Sequence, residues 1–292
     1  CMGMAPENLW GRTMWAISRN SDDYVPQDTD GFAEHALQNA FNSAYHSYFQ
    51  QGDWDMFWTD HPQSTEHALL RVIGGGPLYI SDPVGKTNAL ALLPVVLSDG
   101  RVATCDGTAR VAPDSLFRDP VATDSLLKVT NTYGEATMVA CFNITASKQS
   151  VQGDISSADV RNPIVDAEYV IFDVLNQKLH EGKPLSVTLA AGEVAMYQIV
   201  PKKRITALGL LSKYVPLRGI AWQERRADTL LYKLTDSGKY GFYSETQPTI
   251  RLIGGNSEQL ILHFPESWPG VWSVECDAAA LLEVSLAEPK DV

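Results

Sequence analysis

The amino-acid sequence predicts a mixed fold, in which parallel β/α units over residues 1–112 precede an antiparallel β-sandwich domain over residues 113–292. Two observations lead to this class. Before residue 112, helical patterns alternate with short apolar runs, which is the rhythm of parallel β/α units. After it, short strand-like runs alternate with Gly, Pro and Asn turns without a long helix, and this pattern favours an antiparallel sandwich.

Two amphipathic helices are predicted in the first part. Apolar residues recur every three or four positions over residues 33–49, which indicates one buried helical face. The second helix is expected over residues 62–73, with Asp60 or His61 as its N-terminal cap. Three consecutive glycines at positions 74–76 are expected to end it, because glycine is the residue most suited to a helix C-terminus.

Three strands are predicted between and beside these helices, at residues 14–18, 54–57 and 78–81. Their spacing along the chain suits a closed β/α barrel. A complete barrel of this kind has eight strands, so three strands leave an open edge that another segment has to cover.

The second part contains a series of short apolar runs that predict strands. They lie at residues 126–131, 137–143, 169–173, 185–189, 194–200, 241–244, 250–252, 260–263 and 271–274. Because turn residues separate them at short intervals, antiparallel connections are expected throughout this part.

Composition and charge exclude several classes of protein. The chain has 292 residues, of which 45% are hydrophobic and 20% charged, as in ordinary globular proteins. Its 35 acidic and 23 basic side chains give a formal charge of −12, which disfavours nucleic acid as a partner. The longest apolar stretch, residues 89–97, is broken by Pro94 and is far shorter than the ~18 residues of a membrane span. We therefore expect neither a nucleic-acid nor a membrane partner.

The cysteines and the remaining motifs predict no metal and no cofactor. Four cysteines without a CxxC pair are typical of reduced thiols, and with no secretion signal in view they favour a cytoplasmic protein. The run ending in Gly85, Lys86 and Thr87 is similar to the end of a phosphate-binding loop. However, Ile80 stands where that loop needs its first glycine, and Asp82 would repel a phosphate.

Two acidic clusters stand at the carboxyl ends of predicted parallel strands, where β/α barrels place their catalytic groups. The first is Asp22 with Asp23, and the second is Asp53 and Asp55 around Trp54. Paired carboxylates beside a tryptophan are what glycoside cleavage requires, since one acid protonates the leaving oxygen and another carboxylate stabilises or attacks the anomeric carbon. The alternative is that these aspartates are loop and cap residues only.

A series of motifs resembles the C-terminal half of the raffinose synthase and seed-imbibition branch of glycoside hydrolase family 36. They are CMGMAP, ISRNSDDYVP, DWDMFWTDHP, HALLRVIGGGPLYISDPVGK, LSDGRV, DSLFRDP and SLLKVTN, in this order. The resemblance is dense to about residue 131 and then fades. It implies that residues 1–112 are the C-terminal units of a (β/α)8 TIM barrel, and that the chain is part of an α-galactosidase or galactosyltransferase.

The resemblance also implies catalytic roles. The SDD motif places the acid/base carboxylate on Asp22, with Asp23 as the fallback because the register of two adjacent acids is uncertain by one. Arg19 resembles the charged partner of the sugar site. Retaining members carry their nucleophilic aspartate in a Lys-x-Asp motif on an earlier strand, and no such motif follows a parallel strand in residues 1–112.

Further residues are implied to bind the sugar. Asp53 and Asp55 resemble the acids that accept hydrogen bonds from galactose hydroxyls, and Trp54 resembles a surface for stacking or packing. Asp82 is a weaker candidate for the same rim, and Cys1 resembles a cysteine that lines the sugar pocket.

The sequence thus predicts part of an enzyme that cleaves or transfers α-galactosyl groups of raffinose-type oligosaccharides by a retaining, two-carboxylate mechanism. The expected partners are a galactose-containing oligosaccharide and the missing N-terminal half of the barrel or another subunit. Without the nucleophile, the chain alone is expected to be inactive. The alternative function is a non-catalytic carbohydrate-binding or assembly protein that retains the sugar-binding rim.

Overall fold

The computed structural model describes residues 16–28, 31–181, 184–226, 229–253, 262–263, 270–276 and 281–286. In these residues the predicted class is confirmed, since parallel β/α units come first and antiparallel sheets follow. No helix among them is long and apolar enough to cross a membrane.

The first part contains two short parallel strands and the helices that follow them. In chain order these are β1 (Ile17–Arg19), α1 (Gly31–His46), β2 (Gln51–Asp53), α2 (Ser64–Gly74) and the one-turn helix α3 (Ala89–Leu92). β1 and β2 pair in parallel, so Ser18 lies opposite Gly52 and Arg19 opposite Asp53. A single parallel bridge between Phe57 and Ile80 stands where the third strand is predicted. The carboxyl ends of these strands therefore meet at one rim.

The predicted strand at residues 54–57 is wrong in its bounds, because β2 ends at Asp53. The reason lies two residues later, where Asp55 has a backbone φ of 65°. A left-handed residue turns the chain out of the extended conformation and ends the ladder.

The predicted helices exist, with shifted ends. α1 stops at His46, three residues before the predicted end, and Tyr48 and Phe49 lie exposed beyond it. The N-terminal cap of α2 is Gln63 rather than Asp60 or His61, although the Gln63 amide donates to His61 Nδ1 at 3.0 Å. The glycine stop is confirmed, with Gly75 as a left-handed C-cap at φ 74°.

Antiparallel strands form the remainder of the described chain. They are β3 (Arg110–Val111), β4 (Leu127–Tyr133), β5 (Ala136–Phe142), β6 (Val151–Ile155), β7 (Tyr169–Asp173), β8 (Lys178–Glu181), β9 (Leu185–Leu189), β10 (Val194–Pro201), β11 (Thr206–Leu210), β12 (Ile220–Arg226), β13 (Thr229–Leu234), β14 (Gly238–Tyr243), β15 (Pro248–Ile253), β16 (Leu262–His263), β17 (Val271–Cys276) and β18 (Leu281–Leu286). Seven of them have no counterpart among the predicted strands, namely β3, β6, β8, β11, β12, β13 and β18.

These strands form two layered units. A six-stranded sheet of order β3-β4-β5-β10-β7-β8 is accompanied by the pair β6-β9, and two four-stranded sheets follow, β11-β14-β17-β16 and β12-β13-β18-β15. Separate cores of buried apolar side chains fill the two units. β3 already belongs to the six-stranded sheet, so the antiparallel structure begins just before the predicted boundary at residue 112.

The six-stranded sheet also carries the helices. A further core joins α1 and α2 to strands β4, β5 and β10 through residues such as Phe32, Ile73 and Met138. The rings of Phe32 on α1 and Phe142 on β5 lie 6.0 Å apart. Both helices are therefore fixed against the sheet, and the rim formed by β1 and β2 is fixed with them.

Candidate active site

Arg19 stands at the centre of the rim, at the end of β1. Its guanidinium lies 2.8 Å from Asp55 Oδ2 and 3.2 Å from Asp53 Oδ2 and from Asp23 Oδ1. Burial lowers the pKa of Arg19, but the charge of Asp55 and the hydrogen bond with Asp53 outweigh it and raise the pKa above its ordinary value. One cation therefore holds three carboxylates from two strand ends in one cluster.

Asp55 is the most enclosed of these carboxylates, with 1% of its side chain exposed. Its Oδ2 accepts the backbone amide of Tyr24 at 2.6 Å, and its Oδ1 accepts the amide of Met56 at 2.8 Å. The amide of Asp55 in turn donates to Asp53 Oδ1 at 2.9 Å. Asp55 therefore ties together the loops that follow β1 and β2.

Tyr79 completes the cluster from the segment after α2. Its hydroxyl lies 2.9 Å and 3.0 Å from the two oxygens of Asp53 and 3.4 Å from Arg19 Nη2. Burial and the Asp53 carboxylate raise the pKa of Tyr79 to about 12, so the hydroxyl keeps its proton and donates it. Tyr79 is not among the predicted site residues, although it lies in the predicted strand at residues 78–81.

The two candidate acid/base residues have different surroundings. The Asp23 carboxylate is 75% exposed and contacts Arg19, the residue that also holds Asp53 and Asp55. Asp22 is held by Gln38 of α1, whose Oε1 accepts the Asp22 amide at 2.7 Å and whose Nε2 donates to Asp22 Oδ2 at 3.0 Å. The structure therefore brings Asp23 into the Arg19 cluster and ties Asp22 to the helix.

A cavity adjoins both residues. It has a volume of about 210 Å³ and is lined by Asp22, Asp23 and Tyr24 on one side and by His35 and His67 on the other. The cavity therefore lies between the loop that follows β1 and the helices α1 and α2.

Trp54 and Asp82, two of the predicted sugar-binding residues, both make contacts within the protein. Trp54 is 1% exposed and belongs to the core between the helices and the sheet, where a β-carbon at Gly74 would approach its ring to 2.7 Å. Of its two expected roles only packing is compatible with this burial. Asp82 accepts the amide and the hydroxyl of Thr59 at 2.6 Å and 2.8 Å, so both of its oxygens hold a loop. Cys1 lies outside the described residues.

This arrangement suits a neutral, hydroxyl-rich ligand. Carboxylate oxygens accept hydrogen bonds from hydroxyls, the guanidinium and the Tyr79 hydroxyl donate them, and Arg19 offsets part of the negative charge of the three aspartates. Among the residues that the structure describes, no three His, Cys, Asp or Glu side chains are placed to hold a metal ion.

Sequence comparisons identify the relatives of the chain. Residues 1–261 match the family model described as "Raffinose synthase or seed imbibition protein Sip1". The probable galactinol–sucrose galactosyltransferase 6 of Arabidopsis thaliana is 26% identical over 88% of the chain, and the chain covers 39% of that protein. The galactinol–sucrose galactosyltransferase of Pisum sativum is 35% identical over 46% of the chain and is covered to 18%. The chain thus spans about two fifths of the length of the Arabidopsis relative and less than one fifth of that of the Pisum relative.

Solved structures show a weaker likeness. A putative α-galactosidase from Bacteroides fragilis is 18% identical, with a TM-score of 0.44 over 64% of this chain and 43% of that one. The α-galactosidase of Saccharomyces cerevisiae with raffinose is 10% identical, with a TM-score of 0.42 over 65% of this chain and 59% of that one.

Proposed function

The chain belongs to the raffinose synthase and seed imbibition protein family, and from this membership we propose that it is part of an enzyme that transfers or hydrolyses α-galactosyl groups of raffinose-type oligosaccharides. The observation that carries the proposal is the Arg19 cluster, in which Asp23, Asp53 and Asp55 converge from two adjacent strand ends. Catalytic residues of β/α barrels lie at this position.

Asp53, Asp55 and Arg19 hold the galactosyl group in this proposal. Asp53 remains partly exposed and accepts hydrogen bonds from sugar hydroxyls, while Arg19 and the Tyr79 hydroxyl fix its orientation. Asp55 is almost fully enclosed, so it acts mainly by holding Arg19 and the Tyr24 amide in place. A fixed set of donors and acceptors places the anomeric carbon beside the acid/base residue without further reorganisation.

We assign the acid/base role to Asp23 rather than to Asp22. A general acid has to reach the glycosidic oxygen of a sugar that the same cluster holds, and Asp23 shares Arg19 with Asp53 and Asp55. Asp22 has its carboxylate and its amide bound by Gln38, which suits a residue that anchors the loop.

The retaining mechanism needs a second carboxyl group about 5–5.5 Å from the acid/base residue. We propose that this nucleophile comes from an upstream half of the barrel, or from another subunit, that packs against β1. Among the described residues β1 pairs with β2 alone, and Ile17, Tyr48 and Phe49 are exposed in this part of the chain. An upstream barrel half would supply both the missing strands and the missing carboxylate.

The test compares Asp23→Asn with Asp22→Asn in the complete enzyme, meaning this chain joined to its upstream half. We expect Asp23→Asn to lower kcat/KM for raffinose by about 10²–10⁴-fold, since it removes a general acid. The loss should be much smaller for an aryl α-galactoside whose leaving group needs no proton.

Asp22→Asn is the matched control, because it removes one charge from the adjacent residue. We expect a smaller loss for this variant that is equal for the two substrates. The opposite ranking would return the acid/base role to Asp22. Full activity of both variants would contradict the proposed chemistry and favour a protein that only binds sugars.

A further inference from the structure

Arg71, on α2, lies fully buried beneath the loop that carries Asp53 and Asp55. Its Nε donates to the backbone carbonyl of Asp55 at 3.1 Å, and its Nη2 donates to the carbonyl of Met56 at 2.7 Å. No carboxylate oxygen of the described residues lies within 4.0 Å of it. Two consecutive carbonyls of the rim loop are therefore partners of a charge that is costly to bury.

Two histidines complete the surroundings of Arg71. The guanidinium Nη1 lies 2.8 Å from His67 Nδ1, and Nη2 lies 3.4 Å from His35 Nδ1. Because a guanidinium only donates, both Nδ1 atoms have to accept, and both rings are neutral. Burial and the Arg71 charge lower the pKa of His35 to about 4 and lower that of His67 as well. Arg71 is thus the one charge of this group of three at neutral pH.

One of the two carbonyls that Arg71 binds belongs to a strained residue, Asp55, and the other belongs to the residue after it. Asp55 has φ 65°, a conformation that a β-carbon makes unfavourable, and such residues persist only where their surroundings fix them. Its amide and carboxylate are bound by Asp53, Tyr24 and Met56. The planar fork of Arg71 binds the carbonyls of Asp55 and Met56, with a geometry that a single ammonium cannot reproduce.

We propose that Arg71 is a positioning residue for the sugar site, which holds Asp55 in its left-handed conformation and so sets the geometry of the Arg19–Asp53–Asp55 cluster. This inference rests on the proposed function of the rim. Arg71 itself has no exposed surface, so it acts through Asp55 and not by touching the sugar.

The test is Arg71→Lys in the complete enzyme, which keeps a positive charge and removes the fork. A crystal structure should show Asp55 out of the left-handed region and its carboxylate separated from Arg19. The dissociation constant for galactose, measured by calorimetry, should rise at least about 10-fold. We also expect KM for raffinose to rise more than kcat falls, because the defect is one of sugar positioning.

Lys213→Met is the matched control. Lys213 is also a buried cation that donates to two backbone carbonyls, those of Leu93 and Val96, at 2.8 Å and 2.7 Å, and these lie outside the rim loops. This variant should lose thermal stability and keep both the Asp55 conformation and the affinity for galactose.

Several outcomes would overturn the proposal. One is an Arg71→Lys structure in which Asp55 and its ion pair are unchanged. Another is failure of both Arg71→Lys and Arg71→Gln to fold while Lys213→Met folds, which would make Arg71 a folding residue only. If the unaltered enzyme binds no galactose, the proposed function fails, and the conformation of Asp55 in the variant still decides this inference.

Discussion

Carboxylates at the rim are kept close together by shared cations and donors. Three like charges within reach of one another repel, and this repulsion would spread the loops after β1 and β2. Arg19 contacts all three, and the Tyr79 hydroxyl adds a neutral donor to Asp53. The site therefore keeps its acceptors concentrated, and a ligand rich in hydroxyls finds them already oriented.

Beneath the rim, His35 makes the stability of the protein depend on pH. Burial first, and the Arg71 charge second, lower its pKa from 6.5 to about 4. Below about pH 6.5, His35 binds a proton in the unfolded chain but not in the native state. Stability should therefore fall as the pH is lowered from 6.5 to 4, and His35 should have no effect on it above pH 6.5. The loss due to His35 amounts to about 3 kcal/mol of unfolding free energy.

This dependence is measured by urea unfolding at a series of pH values. His35→Gln should make the slope between pH 6.5 and 4 shallower, whatever its effect on stability at pH 7, and the buried, neutral His67 should account for part of the slope that remains. His180 offers a matched control, because it lies in β8 rather than on α1 or α2, is partly exposed, and has a pKa that is lowered less. An unchanged slope in His35→Gln would contradict the neutral, buried state of this histidine.

At the scale of single residues, the sequence predicted the members of the cluster that follow parallel strands. Asp23, Asp53 and Asp55 could be placed at one rim because the carboxyl ends of parallel strands lie at the same edge, whereas Arg19 was implied by the resemblance to the family. Tyr79 was missed because its role depends on a hydrogen bond to Asp53, 26 positions away. The burial of Trp54 was also beyond prediction, since it depends on the close approach of Gly74.

At the scale of secondary-structure elements, the C-terminus of α2 requires a glycine. Gly75 ends it at φ 74°, and a β-carbon there would lie 2.2 Å from Gly107 O and 2.8 Å from Asn131 Nδ2. The Asn131 amide, on β4, donates to Ile73 O at 2.7 Å and to Gly107 O at 2.8 Å. A side chain of the six-stranded sheet thus caps the helix that carries Arg71, which joins the two parts of the fold.

Gly75→Ala should therefore cost more than backbone strain alone. We expect a loss of about 3 kcal/mol, because the left-handed conformation costs roughly 1–2 kcal/mol and the Asn131 contacts have to shift as well. Gly85→Ala is the control, since Gly85 has φ 77° with no atom within 4 Å of the added carbon. Gly85→Ala should lower the unfolding free energy only by the roughly 1–2 kcal/mol that the left-handed conformation costs. The Tm values of Gly75→Ala and Gly85→Ala are measured by calorimetry. Equal shifts in Tm would contradict a role for the Asn131 contacts.

Strands were harder to predict than helices. The periodicity of residues 33–49 was long enough to indicate α1, whereas β12 is a strand whose Trp222, Arg225 and Arg226 are exposed. Charged side chains on an edge strand prevent unwanted pairing, and they also remove the alternating apolar signal. β6 has Gly153 at its centre, a residue that reads as a turn in the sequence.

Across the whole molecule, long-range polar contacts tie the β/α part to the second antiparallel unit. Lys213 binds the carbonyls of Leu93 and Val96, and Asp236 accepts the amide of Ser98 at 3.0 Å. Arg218 donates to Thr104 O at 2.7 Å and lies over the ring of Tyr133 at 4.2 Å. The hydrogen bonds join segments more than 100 positions apart, which local sequence patterns cannot reveal.

A prediction for the whole molecule concerns the activity of the isolated chain. The isolated chain should turn over an aryl α-galactoside at least about 10³-fold more slowly than the complete enzyme, because the proposed function assigns the nucleophilic carboxylate to the upstream half. Co-expression with the upstream barrel half should restore turnover, because that half would pair with β1 and cover Ile17, Tyr48 and Phe49.

The control is an upstream half in which the aspartate of its Lys-x-Asp motif is replaced by Asn. It should form the same complex by size-exclusion chromatography and restore no turnover, which separates completion of the barrel from supply of the nucleophile. Equal turnover by the isolated chain would mean that one of its own carboxylates serves as the nucleophile, and the two-part site would have to be abandoned.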